Sequence, residues 1–336
     1  MTVTKFTAIL SLLTCFSCSV TAGSFVLQDY NVVTIEDFQT SSHVDGKVFV
    51  GGDLIANSKI GVGEHLTSPY AGATLQVAGS VQGSSGISVK GSMEVGSSNS
   101  LSTFDNGHKV RVNNQEIQNS SGISINADLT TTAINFKNEL EQASTSFQNM
   151  ASTNNTITYK ENKKYTLTVD ESLGADDYAV FDLDSMNKFF SNSANQEAEI
   201  IANNINDIAG IIINVSGTTI NQAQNNNMLG NIFSNFREKI LWNFYEATTI
   251  TLSANNFMGT LLAPLATVTA MGNIDGAVGA YSLITNREIH LVGSEVSPTP
   301  LVKVNEPATL LLFGFAFIAL ARRLTAKSSA TKFSNT

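Results

Sequence analysis

The residue types that could do chemistry are few and scattered. The four histidines, His43, His65, His108 and His290, lie far apart in the chain. His43 is close to Asp45 and His290 is close to Glu288, spacings that are ordinary for turns and surfaces. Six carboxylates (Asp170, Glu171, Asp176, Asp177, Asp182 and Asp184) fall in one run without a Lys or Arg. Calcium wants clustered oxygen ligands of this kind. The spacing fits neither an EF-hand loop nor a glycine-rich nonapeptide, so a solvated acidic surface is the simpler expectation. Asp182 and Asp184 share one strand face without a basic neighbour in sequence. A glycosidase pair would have to assemble from distant positions. A solenoid lyase or hydrolase needs acids and bases clustered on one wall, and no such cluster is visible. The sequence therefore assigns no catalytic residue, no metal ligand and no cofactor. What does recur is neutral: the T-x-T pairs Thr156/Thr158, Thr166/Thr168, Thr249/Thr251 and Thr267/Thr269, at no constant period.

Composition narrows the class. The chain has 336 residues, 42% hydrophobic and only 14% charged, so Ser, Thr, Asn and Gly must cover much of its surface. That balance suits a secreted β-rich protein better than a cytosolic enzyme. All 28 acidic residues lie between Asp29 and Glu306, and five of the 19 basic residues lie outside that span. The span thus sets 14 basic residues against 28 acidic ones, which repels nucleic acid, a ligand that needs Lys and Arg to displace its counterions.

The two ends have their own physics. Lys5, the apolar run Phe6 to Phe16, and Val20-Thr21-Ala22 form a signal peptide over residues 1–22, with cleavage between Ala22 and Gly23. An uncleaved membrane anchor is the competing expectation, and a lipoprotein signal on Cys18 fits poorly. Cleavage removes Cys15 and Cys18, the only cysteines, and leaves a chain without thiol or disulfide chemistry. At the other end a Pro-containing linker (296–308) leads into an apolar run and basic stop, Thr309 to Arg323, followed by a tail over 324–336. That run predicts a short C-terminal transmembrane helix with its basic end in the cytoplasm.

Between them, residues 23–295 read as one β-rich domain. Glycine recurs densely from Gly61 to Gly107. The pieces between, such as Thr74–Ala78, Ile87–Lys90 and Ser92–Val95, alternate apolar and polar over three to five residues. Strands this short suit a coiled sheet in which each rung rests on its neighbours. The fold class expected is mainly β, an irregular β-solenoid, with a meandering sandwich as the alternative. One segment breaks the rhythm. From about 128 to 152, Leu129, Ala133, Phe136, Leu140, Ala143, Phe147 and Met150 recur at alternating steps of four and three, one apolar face of a long α-helix. Asn126 or Asp128 can cap it. Such a helix lies along something long and flat, such as a solenoid wall; a coiled-coil partner is the competing expectation. Met228 to Phe236 reads as a short helix or 3₁₀ turn. In Ile240 to Tyr281, Gly259, Pro264, Gly272 and Gly276 punctuate short strands, and Trp242 is expected to fill the core.

Two stretches resemble known families. The tail, with Asn305-Glu306-Pro307-Ala308, an apolar run containing Gly314, then Arg322-Arg323, resembles a PEP-CTERM sorting signal. That resemblance implies a Gram-negative host with an exopolysaccharide matrix and processing by an exosortase. The body resembles the choice-of-anchor A domain, an ice-binding-like adhesive domain of bacterial surface proteins. The residues that carry this are Phe25–Asn31 with Ser41–Asp53, Ile240-Leu241-Trp242-Asn243-Phe244, and Gly259–Pro264 with Thr267-Val268 and Asn273–Gly276. It implies an irregular β-solenoid with a long helix alongside, and a cell-surface or matrix location. The expected function is adhesion to an exopolysaccharide or cell-surface ligand, without catalysis or nucleic acid. Ice binding is the main alternative and polysaccharide degradation a lesser one.

Overall fold

A computed structural model describes residues 24–67, 72–83, 85–160, 164–184, 190, 196–222 and 226–298. The sorting-signal residues Asn305, Glu306, Pro307, Arg322 and Arg323, the cleavage pair Ala22 and Gly23, and the expected transmembrane run all lie outside them. Among the described residues no helix is long and apolar enough to cross a membrane.

Short apolar–polar alternation produces the expected coil. Each turn of chain lays one strand on each of three parallel ladders. One complete turn is Val48–Val50, Leu54–Ala56 and Ile60–Val62; another is Ile240–Asn243, Thr249–Leu252 and Phe257–Met258. Glycines and a proline make the corners. Gly259 has φ +106°, and a Cβ on Gly276 would sit 2.1 Å from the Gly259 carbonyl oxygen. Pro264 does not end a strand as its type suggests. Thr260–Ala270 runs through it, with a register shift between Ala263 and Thr267 that turns the strand from one ladder to the next. Ile87 to Val95 is likewise one strand, not two.

Inward columns are apolar throughout. On one ladder Met93, Leu75, Val48, Val32, Val278, Leu261, Trp242, Ile213 and Phe181 follow one another in register. All are 2% exposed or less, and each fully buried side chain of this kind contributes about 1.5–3 kcal/mol. Trp242 fills the core as expected. It stacks on Phe233 at 6.3 Å and donates its indole N–H to the Met258 carbonyl at 3.0 Å.

The stacking order is not the chain order. The first strand, Val32–Thr34, pairs with Val48–Val50 on one side and with Val278–Ala280 on the other. The chain therefore climbs from the middle to one end, which an antiparallel hairpin of Leu101–Phe104 and Lys109–Val112 covers. It returns to the opposite end and climbs back, so its last turn docks on its first. The helix Leu129–Gln148 makes the return. At about 1.5 Å per residue it spans roughly 30 Å, about six strand spacings.

Leu129, Leu140, Ala143 and Phe147 of this helix are buried, with Ala133, Phe136 and Met150 packed at the margin. They press on Val33, Phe49, Val180, Ile212, Leu241 and Leu262 of the ladder beneath, as the periodicity predicts. Asp128 makes no side-chain cap; Asn126 instead accepts from the Asp128 backbone N–H at 3.0 Å. A buried polar chain ties the helix down. Ser144 donates to Asn243 (2.6 Å), and Asn243 donates to the Ser144 carbonyl and to Asn214 (both 2.9 Å). Asn214 in turn donates to the Phe147 carbonyl (3.0 Å).

Candidate functional site

The second ladder presents its outward face to solvent. Its inward column, Ile220, Ile250, Val268, Leu283, Phe38, Leu54 and Val81, is buried to 1% exposure or less, and the residues run in register from rung to rung. Because side chains alternate along a strand, the flanking residues all point outward. One outward column is Thr219, Thr249, Thr267 and Ser282; beside it run Asn221, Thr251, Thr269, Ile284, Gln39, Ile55 and Gln82. Rungs are about 4.8 Å apart, so Thr249/Thr251 and Thr267/Thr269 form a two-by-two array of hydroxyls and methyls. Sequence separation hides this, because consecutive rungs differ in length. The residues named carry no charge; past Ser282 the first column continues with Asp37 and Asp53, which precede the inward Phe38 and Leu54, so the neutral array belongs to the Thr219-to-Ser282 part of the face.

The other two T-x-T pairs stand elsewhere. Thr156–Lys160 and Lys164–Thr168 pair antiparallel, Thr156 opposite Thr168 and Thr158 opposite Thr166, in a separate four-stranded sheet. They share it with Lys164 and Glu199, which form a 2.8 Å ion pair, and Thr166 is buried.

The histidines prove more connected than their spacing suggests. His43 lies 3.8 Å from Glu64, not beside Asp45. Asp45, 6% exposed, holds His65 Nδ1 at 2.8 Å and accepts from the Leu291 backbone N–H at 3.3 Å. His290 Nδ1 contacts Asp275, and its Nε2 lies 3.2 Å from Glu288. Arg237 approaches the other oxygen of Asp275 at 3.4 Å. Burial alone would lower the His290 pKa. The hydrogen bonds to Asp275 and Glu288, with the charges of Asp275 and Asp45, outweigh it and hold the group above the ordinary imidazole range. With a carboxylate against each ring nitrogen, this histidine is placed to fasten strands. Its strand, Ile289–His290, pairs with Ile274–Asp275, and Ile289 bridges to Val44, at the junction of last and first turns.

The acidic run disperses. Asp170 accepts from the Ser172 N–H and Asp177 from the Gly174 N–H, each closing a local turn. Asp182, itself exposed, accepts from the Asn214 side chain at 3.3 Å. Among the described residues no group of three or more His, Cys, Asp or Glu side chains is placed to hold a metal ion. A cleft of about 500 Å³ lies between the covering hairpin and the bulged strand Gln115–Ile125, lined by His108, Lys109 and Glu116 among others.

A family model described as a putative ice-binding-like adhesive domain matches residues 25–291. Comparison with curated proteins finds no match. Similar solved structures include an ice-binding protein from the Antarctic ascomycete Antarctomyces psychrotrophicus, with 10% identity, 80% of this chain and 97% of that one covered, and a TM-score of 0.31. The DUF3494 domain of a Shewanella frigidimarina ice-binding protein gives 11% identity, coverage of 80% and 95%, and a TM-score of 0.30. An ice-binding protein from an Arctic yeast gives 13%, coverage of 82% and 95%, and 0.32.

Proposed function

We propose, from the premise that the chain belongs to the ice-binding-like adhesive domain family, that it is a non-catalytic adhesive module of an exported surface protein. Its contact surface is the bare second ladder. The observation that carries this reading is the in-register array of Thr219, Thr249, Thr251, Thr267, Thr269 and Ser282 over an apolar core column. Such a face offers many weak, neutral hydrogen bonds over a flat area. That suits a repetitive partner such as an exopolysaccharide or a neighbouring cell's coat.

Export through a leader ending at Ala22 belongs to the same proposal. So does sorting by an exosortase-type enzyme acting on a membrane-held tail with Asn305, Glu306, Pro307, Arg322 and Arg323. Truncation at Pro298 then moves the protein out of the membrane fraction; retention there contradicts sorting through the tail.

The adhesive reading is tested with beads coated in the protein, placed under flow over films of dextran, glucomannan and alginate. Beads held on a neutral film whose mass stays constant support it. Failure to hold on any film, or erosion of a film with release of sugars, contradicts it. A second reading, ice as the partner, draws on the same array, because a regular lattice of hydroxyls and methyls also suits ordered water. Thermal hysteresis at micromolar protein separates the two.

A further inference from the structure

Where the bare ladder turns toward the third ladder, it is not flat. The residues that follow each of its strands stack as a second row: Asn57 after Leu54–Ala56, Ser41 after Phe38–Thr40, Asn286 after Val278–Thr285 and Met271 after Thr260–Ala270. With Gln39, Thr269 and Ile284 they wall a trough of about 240 Å³, floored by Ala270 and Thr285. It crosses four successive rungs. None of its lining residues is charged.

Its polar groups are free for a ligand. Among the described residues none exchanges a hydrogen bond with the side-chain amides of Gln39, Asn57 or Asn286. Thr285, on the floor, is already satisfied, accepting from the Arg287 N–H at 3.0 Å. Arg287, next to Asn286 in the chain, is turned to the Met271 carbonyl at 3.0 Å. Ile284, 37% exposed, offers an apolar surface between the amides.

We propose that this trough binds a neutral oligosaccharide chain, with the amides of Gln39, Asn57 and Asn286 on the sugar hydroxyls and Ile284 under a ring's apolar face. Amides both donate and accept, which matches hydroxyls that do the same. The absence of charge disfavours an anionic chain, which would leave its carboxylates unpaired. The rung spacing, about 4.8 Å, is close to the length of one sugar residue, so successive rungs meet successive sugars. This inference rests on the adhesive reading and names the ligand class at one edge of the same face.

The test measures binding of soluble maltohexaose, laminarihexaose and cellohexaose by calorimetry, beside an acidic control, hexagalacturonate. The expected result is binding of at least one neutral hexamer, independent of salt, and none of the acidic one. Asn57→Ala with Asn286→Ala weakens it about tenfold, with an unchanged unfolding midpoint, because these amides make no side-chain bonds within the fold. Gln39→Ala weakens it less. The proposal is overturned if no neutral hexamer binds, if the acidic hexamer binds equally well, or if the double variant binds like the parent. If beads still hold on a neutral film while no hexamer binds, the trough alone fails. If the beads do not hold either, the adhesive reading falls with it.

Discussion

Trp242 and His290 illustrate how much one side chain reports. Trp242 is the only tryptophan in the sequence and is fully buried. Its fluorescence is therefore expected to be blue-shifted, resistant to iodide quenching and unmoved by saccharide; a shift on ligand addition would place it at the contact surface instead. Trp242→Ala opens a large cavity between Phe190, Phe233 and Phe257 and should cost about 3–5 kcal/mol, measured by urea unfolding. His290 gives a pH signature. Its folded pKa lies above the unfolded value of about 6.5, so the stability it lends is fully present below that pH. It is lost as pH rises through the folded pKa. Unfolding free energy should fall across that window, and His290→Asn should flatten the fall; an unchanged slope contradicts the clamp. The core role of Trp242 was legible from its apolar surroundings in sequence. The His290–Asp275 contact was not, because those two residues meet only once their rungs stack.

The long helix was legible from its apolar face, expected over about 128–152 and observed over Leu129–Gln148; it stops four residues early, and Met150 packs on the same cluster from just beyond its end. Its polar tether was not legible. Asn214 and Asn243 sit in apolar strands, and nothing in sequence says that the outward face of those strands lies under a helix. Asn243→Ala leaves the buried Asn214 amide and Ser144 hydroxyl short of partners and should cost about 1–3 kcal/mol. A loss below a few tenths of that, read from the denaturation midpoint, contradicts the tether. Gly279 lies close beneath the helix: a Cβ there would lie 2.8 Å from Leu140 Cδ2. Gly279→Val should push the helix off the sheet and cost about 1–3 kcal/mol. Two smaller elements escaped the pattern. Asn226–Leu229 is a strand, and only Asn231–Asn235 of the expected 228–236 segment is helical. The short run favours neither period until a neighbouring strand supplies the ladder. The hairpin over 101–112 turns at Asp105 and Asn106, both with φ near +55°. That hairpin was not among the expectations, although Asp, Asn and Gly are the residues that tolerate such positive φ.

At the scale of the whole molecule, short alternating strands made a solenoid the expected fold, but they did not disclose that the first turn lies in the middle. That order follows from the helix: a chain that climbs to one end and is carried back outside can only finish on its own beginning. The same order creates the adhesive face. Thr249/Thr251 and Thr267/Thr269 belong to the returning half, while Gln39 and Ile55 belong to the outgoing half. Neither half alone presents the full surface, so irregular sequence spacing conceals a regular array. The most direct measurement of the central claim is retention of protein-coated beads under flow on a neutral polysaccharide film. It compares the parent, Thr251→Arg with Thr269→Arg on the bare ladder, and Asn138→Arg with Gln142→Arg on the exposed side of the helix. Two bulky charges on the array should abolish retention, and the helix pair should leave it unchanged. Retention that survives the threonine changes, or that vanishes with the helix changes, would contradict the claim that this face makes the contact.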